Sequence, residues 1–580
     1  MADVIVDRDV PAKMRDGTVL RADVYRAAKG RQPAILVRTP YGKDDLSVLA
    51  DLCNPFEAVE RGFAVVYQDC RGRYASDGDW TPYVDEAADG YDTVEWIADR
   101  PWCTGCVGIG GPSYLGITTW QAVIADPPHL EAALPLFTAG NLHEGWAYTG
   151  GAFELGFSLT WAVHALAGGA LAARETVSEA SVELHDRYVE TYETVAERLA
   201  ELPLTDAIAP ISDLVPAYER WLEHPAYDAY WDRVDVTENI ESASVPVLEV
   251  AGWYDAFAKG AFDIADAVAA AAPSMCDDDY HLVVGPWDHR TARSATPTYA
   301  GEKDQGYSSA LAPVLDELVL PWFAHHLTDR STAVADLPRI RYFRMGDATW
   351  QTFDGWPPAI RRSTYYLDSG GEAATNADDG RLVEPQPTDG SVVDSYRYDP
   401  LDPVPSVGGN THMHPFGKPG VSDQSEVEGR DDVLVYTTPP LASPVSVVGR
   451  PALTLFVTSS APDTDFTGKL VDVEPDGYCA NITEGICRAR YRNSSTDPEF
   501  MTPNQTYEVP VELWPTAHKF AADHRIRLEV SSSNFPRFDR NPNVAGPVHE
   551  ADEADVQIAT NSVRHGPNHP SKLSLPVRKR

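Results

Sequence analysis

Cys106-Val107-Gly108-Ile109-Gly110 runs into Gly111-Pro112-Ser113-Tyr114-Leu115-Gly116 and then into the apolar stretch Ile117 to Ile124. The order is strand, turn, helix, with a serine at the turn and glycines on both sides. A serine so placed is held in a strained backbone conformation with its hydroxyl exposed, which is how a nucleophile is presented. Glycines are needed there because bulkier neighbours would clash where the chain turns sharply. The general motif has glycine two residues after the serine. Here that position is Leu115, and the glycine follows as Gly116. Taken alone, the stretch also fits a glycine-rich turn with a surface serine.

Two later segments add to it. Val245 to Val250 is a short apolar strand ending in Ala251-Gly252-Trp253-Tyr254-Asp255, and Tyr280 to Val284 is another ending in Gly285-Pro286-Trp287-Asp288-His289. Ser113, Asp255 and His289 thus each follow a strand, in the order expected of an α/β-hydrolase. Functional groups of an open α/β sheet gather at the carboxyl ends of its strands. Serine is a weak nucleophile at its free pKa, so an imidazole must take its proton and a carboxylate must fix the tautomer. Against this, Asp255 could cap a helix starting at Ala256, and His289 could be a hydrogen-bonded loop residue. Asp288 is a rival acid, although its side chain would point away from that of the adjacent His289.

Acyl transfer also needs donors for an oxyanion. One is the backbone N–H after the nucleophile, at Tyr114. The other should follow the strand Ala34 to Arg38, where Thr39-Pro40-Tyr41-Gly42-Lys43 offers a tyrosine hydroxyl and no run of glycines. Tyr41 is the candidate; an interfacial aromatic with a satisfied hydroxyl is the alternative.

Arg38-Thr39-Pro40-Tyr41, Asp69-Cys70-Arg71-Gly72-Arg73, the Ser113 turn, Gly252 to Phe257 and Gly285 to His289 resemble the cocaine esterase/X-prolyl dipeptidyl-peptidase family. The resemblance continues through Ser460 to Phe466 and Ser531 to Arg537, and so spans nearly the whole chain. It implies Ser113 as nucleophile, His289 as base, Asp255 as its orienting acid, and Tyr41 with the Tyr114 N–H as oxyanion donors. Phe257 matches a position that lines the acyl pocket in bacterial cocaine esterases. Cys70 and Pro112 fall where members vary.

A chain of 580 residues is too long for one core, and three or four domains are expected. The formal charge of −40 comes from 87 acidic against 47 basic residues, of which only ten are Lys. Such a surface repels itself at low ionic strength, whereas at molar salt the Debye length is about 3 Å. Acid-rich, lysine-poor enzymes are the pattern of salt-in halophiles; an acidic mesophilic protein is the alternative. Nucleic acid and anionic membranes are unfavourable partners, since both need basic patches. No membrane span is expected, and the charged residues 1–30 lack a secretory signal, which makes a cytoplasmic location the expectation. Seven scattered cysteines form no disulfide framework. Cys103-Thr104-Gly105-Cys106 lacks a second pair and reads as two thiols rather than a zinc site. His412-Met413-His414 and His325-His326 lack nearby partners. No metal or cofactor is expected, and a homodimer is left open.

Residues 4–28 read as a hairpin turning at Arg15-Asp16-Gly17-Thr18. About 105 residues between the strand at Ala132 to Phe137 and that at 245 show no strand pattern. There Val177, Leu184, Tyr188, Val195, Leu199 and Leu202 follow helical spacing. This is a helical cap, with Trp146, Phe157 and Trp161 as candidates for the substrate wall or, equally, for its core. Val314 to Leu327 reads as the closing helix of the sheet. From Arg339 onward short β runs point to a jelly-roll sandwich, with 369–431 as a long loop. The expectation is an α/β-hydrolase sheet (1–145 and 241–335), an inserted helical cap (146–240) and a C-terminal jelly-roll β-sandwich (336–580).

The function expected is a serine hydrolase cleaving small esters or amides through an acyl-enzyme. The alternatives are an X-prolyl dipeptidyl-peptidase, which needs carboxylates to hold the substrate ammonium, and an α-amino-acid ester hydrolase or cephalosporin acylase. In the amino-acid ester hydrolases the position of Leu115 tends to be Glu. A non-catalytic binding protein on the same fold would not require all three of Ser113, Asp255 and His289.

Overall fold

The alternation of residues 4–27 folds as the expected hairpin. β1 (Val4–Lys13) pairs antiparallel with β2 (Val19–Ala27), and Gly17 turns between them at φ 97°. The structure is a computed structural model that describes residues 3–173, 179–271, 279–291, 296–356, 358, 360–388, 392–412 and 418–578. Beyond the hairpin come β3 (Gln32–Thr39), β4 (Ala64–Asp69), β5 (Cys103–Pro112), β6 (Leu130–Leu136), β7 (Val247–Gly252), β8 (Tyr280–Gly285), β9 (Ile340–Arg344) and β10 (Thr349–Phe353). The sheet runs β1-β2-β4-β3-β5-β6-β7-β8-β9-β10, parallel from β4 to β9 and antiparallel at both edges.

Every residue of β3, β4 and β7 is buried, as expected of parallel strands covered on both faces. Alternate side chains of β3 feed different cores. Ala34 and Leu36 pack with Val94 and Ile97 of α1 (Glu86–Ala98) and Trp120 of α2 (Tyr114–Ala125). Ile35 and Val37 pack with Trp322 and Phe323 of α4 (Leu311–Leu327), and Phe262 of α3 (Ala258–Ala271) joins the first core. Each fully buried large side chain contributes on the order of 1.5–3 kcal/mol.

The insertion is helical as expected, apart from a two-residue ribbon pairing Tyr148–Thr149 with Ala152–Phe153. A continuous helix Leu155–Ala172, with a π-helical turn over Ala162–Ala167, opens it. By length and composition this helix could cross a membrane, but 67 % of it is buried inside the protein, as a core helix is. Leu184, Val195 and Leu199 of the anticipated helical face are buried, while Val177 lies outside the described residues.

The C-terminal unit is sheet-rich, with thirteen strands among the described residues between Ile360 and Arg578. Three readings of its sequence need correction. The boundary at 335/336 puts the β run at 339–343 in this unit, yet β9 pairs with β8 and extends the first sheet. Segment 369–431 is not one loop, since it holds Arg381–Val383 and Val392–Tyr398. The run Ile486 to Tyr491 is the end of the strand Cys479–Arg488 followed by a 3-10 turn. Polar residues at inward positions hid these strands. Asp394 is buried and accepts hydrogen bonds from Ser369 and Tyr436 beside His565. Glu484, inside the fully buried strand Cys479–Arg488, pairs with Arg537. That strand faces the other units, for Tyr254 donates to the Asn481 carbonyl and Arg488 N–H to that of Gly150.

Candidate active site

Ser113 ends β5 and opens α2 with φ 61° and ψ −126°. A non-glycine residue held there costs on the order of 1–3 kcal/mol and persists only where the surroundings fix it. They do. The Ser113 N–H donates to the Leu136 carbonyl at 2.9 Å, and its own carbonyl accepts from Thr138 Oγ1 at 2.9 Å. Gly111 sits at φ 154°, and a Cβ there would lie 2.4 Å from that of Leu115. Leu115, where the general motif has glycine, is thus accommodated by the bare backbone of Gly111.

Asp255 lies in the turn after β7, and His289 in the loop after β8. Asp255 Oδ2 and His289 Nδ1 are 2.7 Å apart, while Oδ1 accepts the Phe257 N–H at 2.7 Å. The helix that the sequence would have Asp255 cap starts only at Ala258, so one oxygen closes the turn at Phe257 and the other meets the imidazole. Asp288 instead closes its own turn, with Oδ1 accepting the Arg290 N–H at 2.7 Å. The His289 ring lies 6.4 Å from that of Phe137, the residue after the Leu136 carbonyl that holds Ser113. Imidazole and serine therefore approach the same strand end. No hydrogen bond joins the Ser113 hydroxyl to His289 among the described residues, and such bonds tighten when substrate binds.

Tyr41, after β3, has its hydroxyl 3.0 Å from the donating Nε1 of Trp161 in the cap. The Tyr114 N–H lies in the first turn of α2, where backbone donors have no intrahelical acceptor. Its hydroxyl points away, donating to Glu86 and accepting the Tyr83 N–H. The three aromatic candidates converge on the same place. Phe257 meets His289 edge-on at 5.0 Å and stacks on Trp146 at 3.9 Å, and Trp161 lies 5.7 Å from Trp146. Phe157 joins them, 5.5 Å from Trp161.

Two further residues belong to this site: Asn410, of which the sequence gives no direct sign, and His412, which by sequence has no nearby partner. The Asn410 amide, buried, donates to the carbonyls of both Trp253 and Asp255 at 2.9 Å, and so pins the acid turn from the C-terminal unit. The signal available was Gly408-Gly409 before it. Gly409 has φ 74°, and a Cβ there would lie 2.5 Å from Glu484, the mark of a close approach. His412 lies with its ring 4.6 Å from that of His289, and its Nδ1 is buried without a partner among the described residues. Burial first, and then the neighbouring His289, hold its pKa well below the usual histidine value, so the ring is neutral. Met413 and His414 lie outside the described residues. Elsewhere, His325 and His326 pack beside Trp322 at the end of α4, and Cys103 and Cys106 are free thiols. Among the described residues no group of three or more His, Cys, Asp or Glu gathers that could hold a metal ion.

Residues 16–291 match the family described as X-Pro dipeptidyl-peptidase (S15 family), and residues 332–574 its C-terminal non-catalytic domain. The chain is 37 % identical to the cocaine esterase of Rhodococcus sp. (strain MB1 Bresler), over 99 % of each chain. Among solved structures it is similar to an aminopeptidase from the marine sediment archaeon Thaumarchaeota archaeon, with a TM-score of 0.83 and 26 % identity over 100 % of this chain and 97 % of that one. An α-amino acid ester hydrolase gives a TM-score of 0.81 at 27 % identity, again over 100 % and 97 %.

Proposed function

Because the chain belongs to the cocaine esterase/X-Pro dipeptidyl-peptidase family of serine hydrolases, we propose that Ser113, His289 and Asp255 are its nucleophile, base and orienting acid. The observation that carries this is the 2.7 Å Asp255–His289 pair delivered to the strand end where Ser113 stands strained. Asp255 holds a proton on His289 Nδ1, leaving Nε2 to take the Ser113 proton as Oγ attacks the substrate carbonyl. The oxyanion accepts from the Tyr114 N–H and the Tyr41 O–H. His289 then passes its proton to the leaving alcohol or amine, and deacylation repeats the cycle with water.

Trp146, Phe157, Trp161 and Phe257 form the wall that receives the acyl group. They carry no carboxylate to hold a substrate ammonium, and Leu115 stands where the amino-acid ester hydrolases tend to have Glu. Both observations favour esters with an apolar acyl group over X-prolyl peptides and amino-acid esters. The acidic, lysine-poor composition favours an enzyme working at high salt. A panel of aryl esters, Xaa-Pro anilides and amino-acid esters, run beside fluorophosphonate labelling of wild type and Ser113→Ala, tests the reading. Aryl esters should turn over fastest and labelling should vanish in the variant. Fastest turnover of Xaa-Pro anilides would make the chain a peptidase, and labelling of Ser113→Ala would remove the nucleophile.

A further inference from the structure

A cavity of about 540 Å³ lies between the loop after β4 and the cap, and contains none of Tyr41, Ser113, Phe257 or His289. Among the described residues its lining includes Arg73, Arg220 and Arg233 and no carboxylate, in a chain whose acidic residues outnumber basic ones 87 to 47. Arg73 is buried and gives three of its five N–H donors to two backbone carbonyls, Pro40 at 3.0 Å and Leu166 at 3.3 Å. The buried Arg38 and Arg488, by contrast, are each met by carboxylates. With no such neighbour among the described residues, burial lowers the Arg73 pKa where theirs are raised. Arg73 lies over the Trp80 ring at 4.6 Å and Arg233 over that of Tyr230 at 4.8 Å. The Trp80 ring itself lines this pocket. Arg220 is exposed, and its ion pair among the described residues is with Glu223 at 3.8 Å, a surface pair of little worth.

We propose that this pocket binds an organic carboxylate with an apolar body, held by Arg220 and Arg233 at the mouth, with Arg73 and the Trp80 ring inside. Guanidinium groups bind carboxylates through paired charge-assisted hydrogen bonds, and the cavity has the size of a small-molecule site. The acid released by hydrolysis of an ester belongs to the same chemical class. Tyr114 stands between the two sites, its ring 6.0 Å from Trp80 and its backbone next to Ser113. Occupancy here is separate from the assignment of the catalytic residues and stands or falls without it.

The test is calorimetric titration of the full chain with phenylacetate and with phenylacetamide, on wild type, Arg220→Ser/Arg233→Ser and Tyr41→Phe. Both mouth arginines are exposed, so the double variant should keep the thermal midpoint and aryl-ester turnover of wild type. It should bind phenylacetate at least about tenfold more weakly, a loss of about 1.4 kcal/mol. Phenylacetamide should bind wild type weakly by a similar factor, and Tyr41→Phe should bind phenylacetate as wild type does. Three results would each overturn the proposal: a double variant that binds like wild type, an amide that binds like the acid, or no phenylacetate binding at about 10 mM. Loss of binding in Tyr41→Phe would overturn it too, by placing the acid in the catalytic pocket.

Discussion

The indole N–H of Trp161, in the cap, donates to the hydroxyl of Tyr41, in the loop after β3, at 3.0 Å. A hydroxyl has one proton and two lone pairs, so this bond occupies an acceptor site and leaves the Tyr41 proton to be aimed elsewhere. The cap thereby orients a group of the hydrolase sheet.

Tyr41→Phe should lower kcat by about 10²–10³ with little change in KM, the usual loss for one oxyanion donor. Trp161→Phe keeps a ring in place and removes only the orienting donor, so its loss should be smaller, about tenfold or less. Steady-state kinetics on an aryl ester decides. Equal losses would mean the indole does more than orient Tyr41, and no loss in Tyr41→Phe would place the second donor elsewhere.

Ser113→Gly should be inactive and yet more stable than wild type, by about 1 kcal/mol, because glycine adopts φ 61° without strain. Ser113→Ala should be as inactive, several orders of magnitude down, without that gain. Urea midpoints of the three proteins measure it; a glycine variant no more stable than the alanine one removes the strain argument.

Asn410→Ala takes from the Trp253 carbonyl its donor and leaves that of Asp255 only the Ala258 N–H, and a buried carbonyl that loses its donor costs about 1–3 kcal/mol. Loosening the acid turn should also lower kcat more than it raises KM. A stability loss with unchanged kcat would make Asn410 structural only. Asp255→Asn, which disturbs the tautomer directly, should cost about 10⁴ in kcat.

Glu249, in the middle of β7, is fully buried and accepts from the Tyr280 hydroxyl. Burial pushes its pKa up from 4.5 to about 8. Between those values the folded state keeps a proton that the unfolded chain has lost. The protonated carboxyl therefore contributes stability that is whole below pH 4.5 and is lost as pH rises through about 8, at no more than about 1.4 kcal/mol per pH unit. Glu249→Gln should flatten the fall of the thermal midpoint between pH 5 and 8 relative to wild type. Parallel curves for the two proteins would show that Glu249 is ionised in the fold.

The thermal midpoint should rise from about 0.1 M to 3 M KCl as screening relieves repulsion among the 87 carboxylates. Screening is nearly complete by a few tenths molar, so a further gain would come from ion binding or salting-out. A flat or falling midpoint removes the high-salt reading and leaves the active site untouched.

The parts that were legible are local. The Ser113 turn, the strands leading to Asp255 and His289, the first hairpin and the closing helix each declare themselves within about ten residues, because backbone strain, burial on both faces and helical spacing act over that range. The strand Val392–Tyr398 was missed because its inward Asp394 breaks the apolar alternation, and that residue is affordable only with Ser369, Tyr436 and His565 around it. β9 was read as a strand but given to the wrong sheet, since pairing partners lie far apart in sequence. Trp161 at Tyr41, Asn410 at Asp255 and His412 at His289 each join residues more than a hundred positions apart. The sequence alone determined which chemistry the chain carries. Tertiary structure decided how it is aimed, because a hydrogen bond between distant segments depends on where the whole fold sets them down, and no periodicity records that.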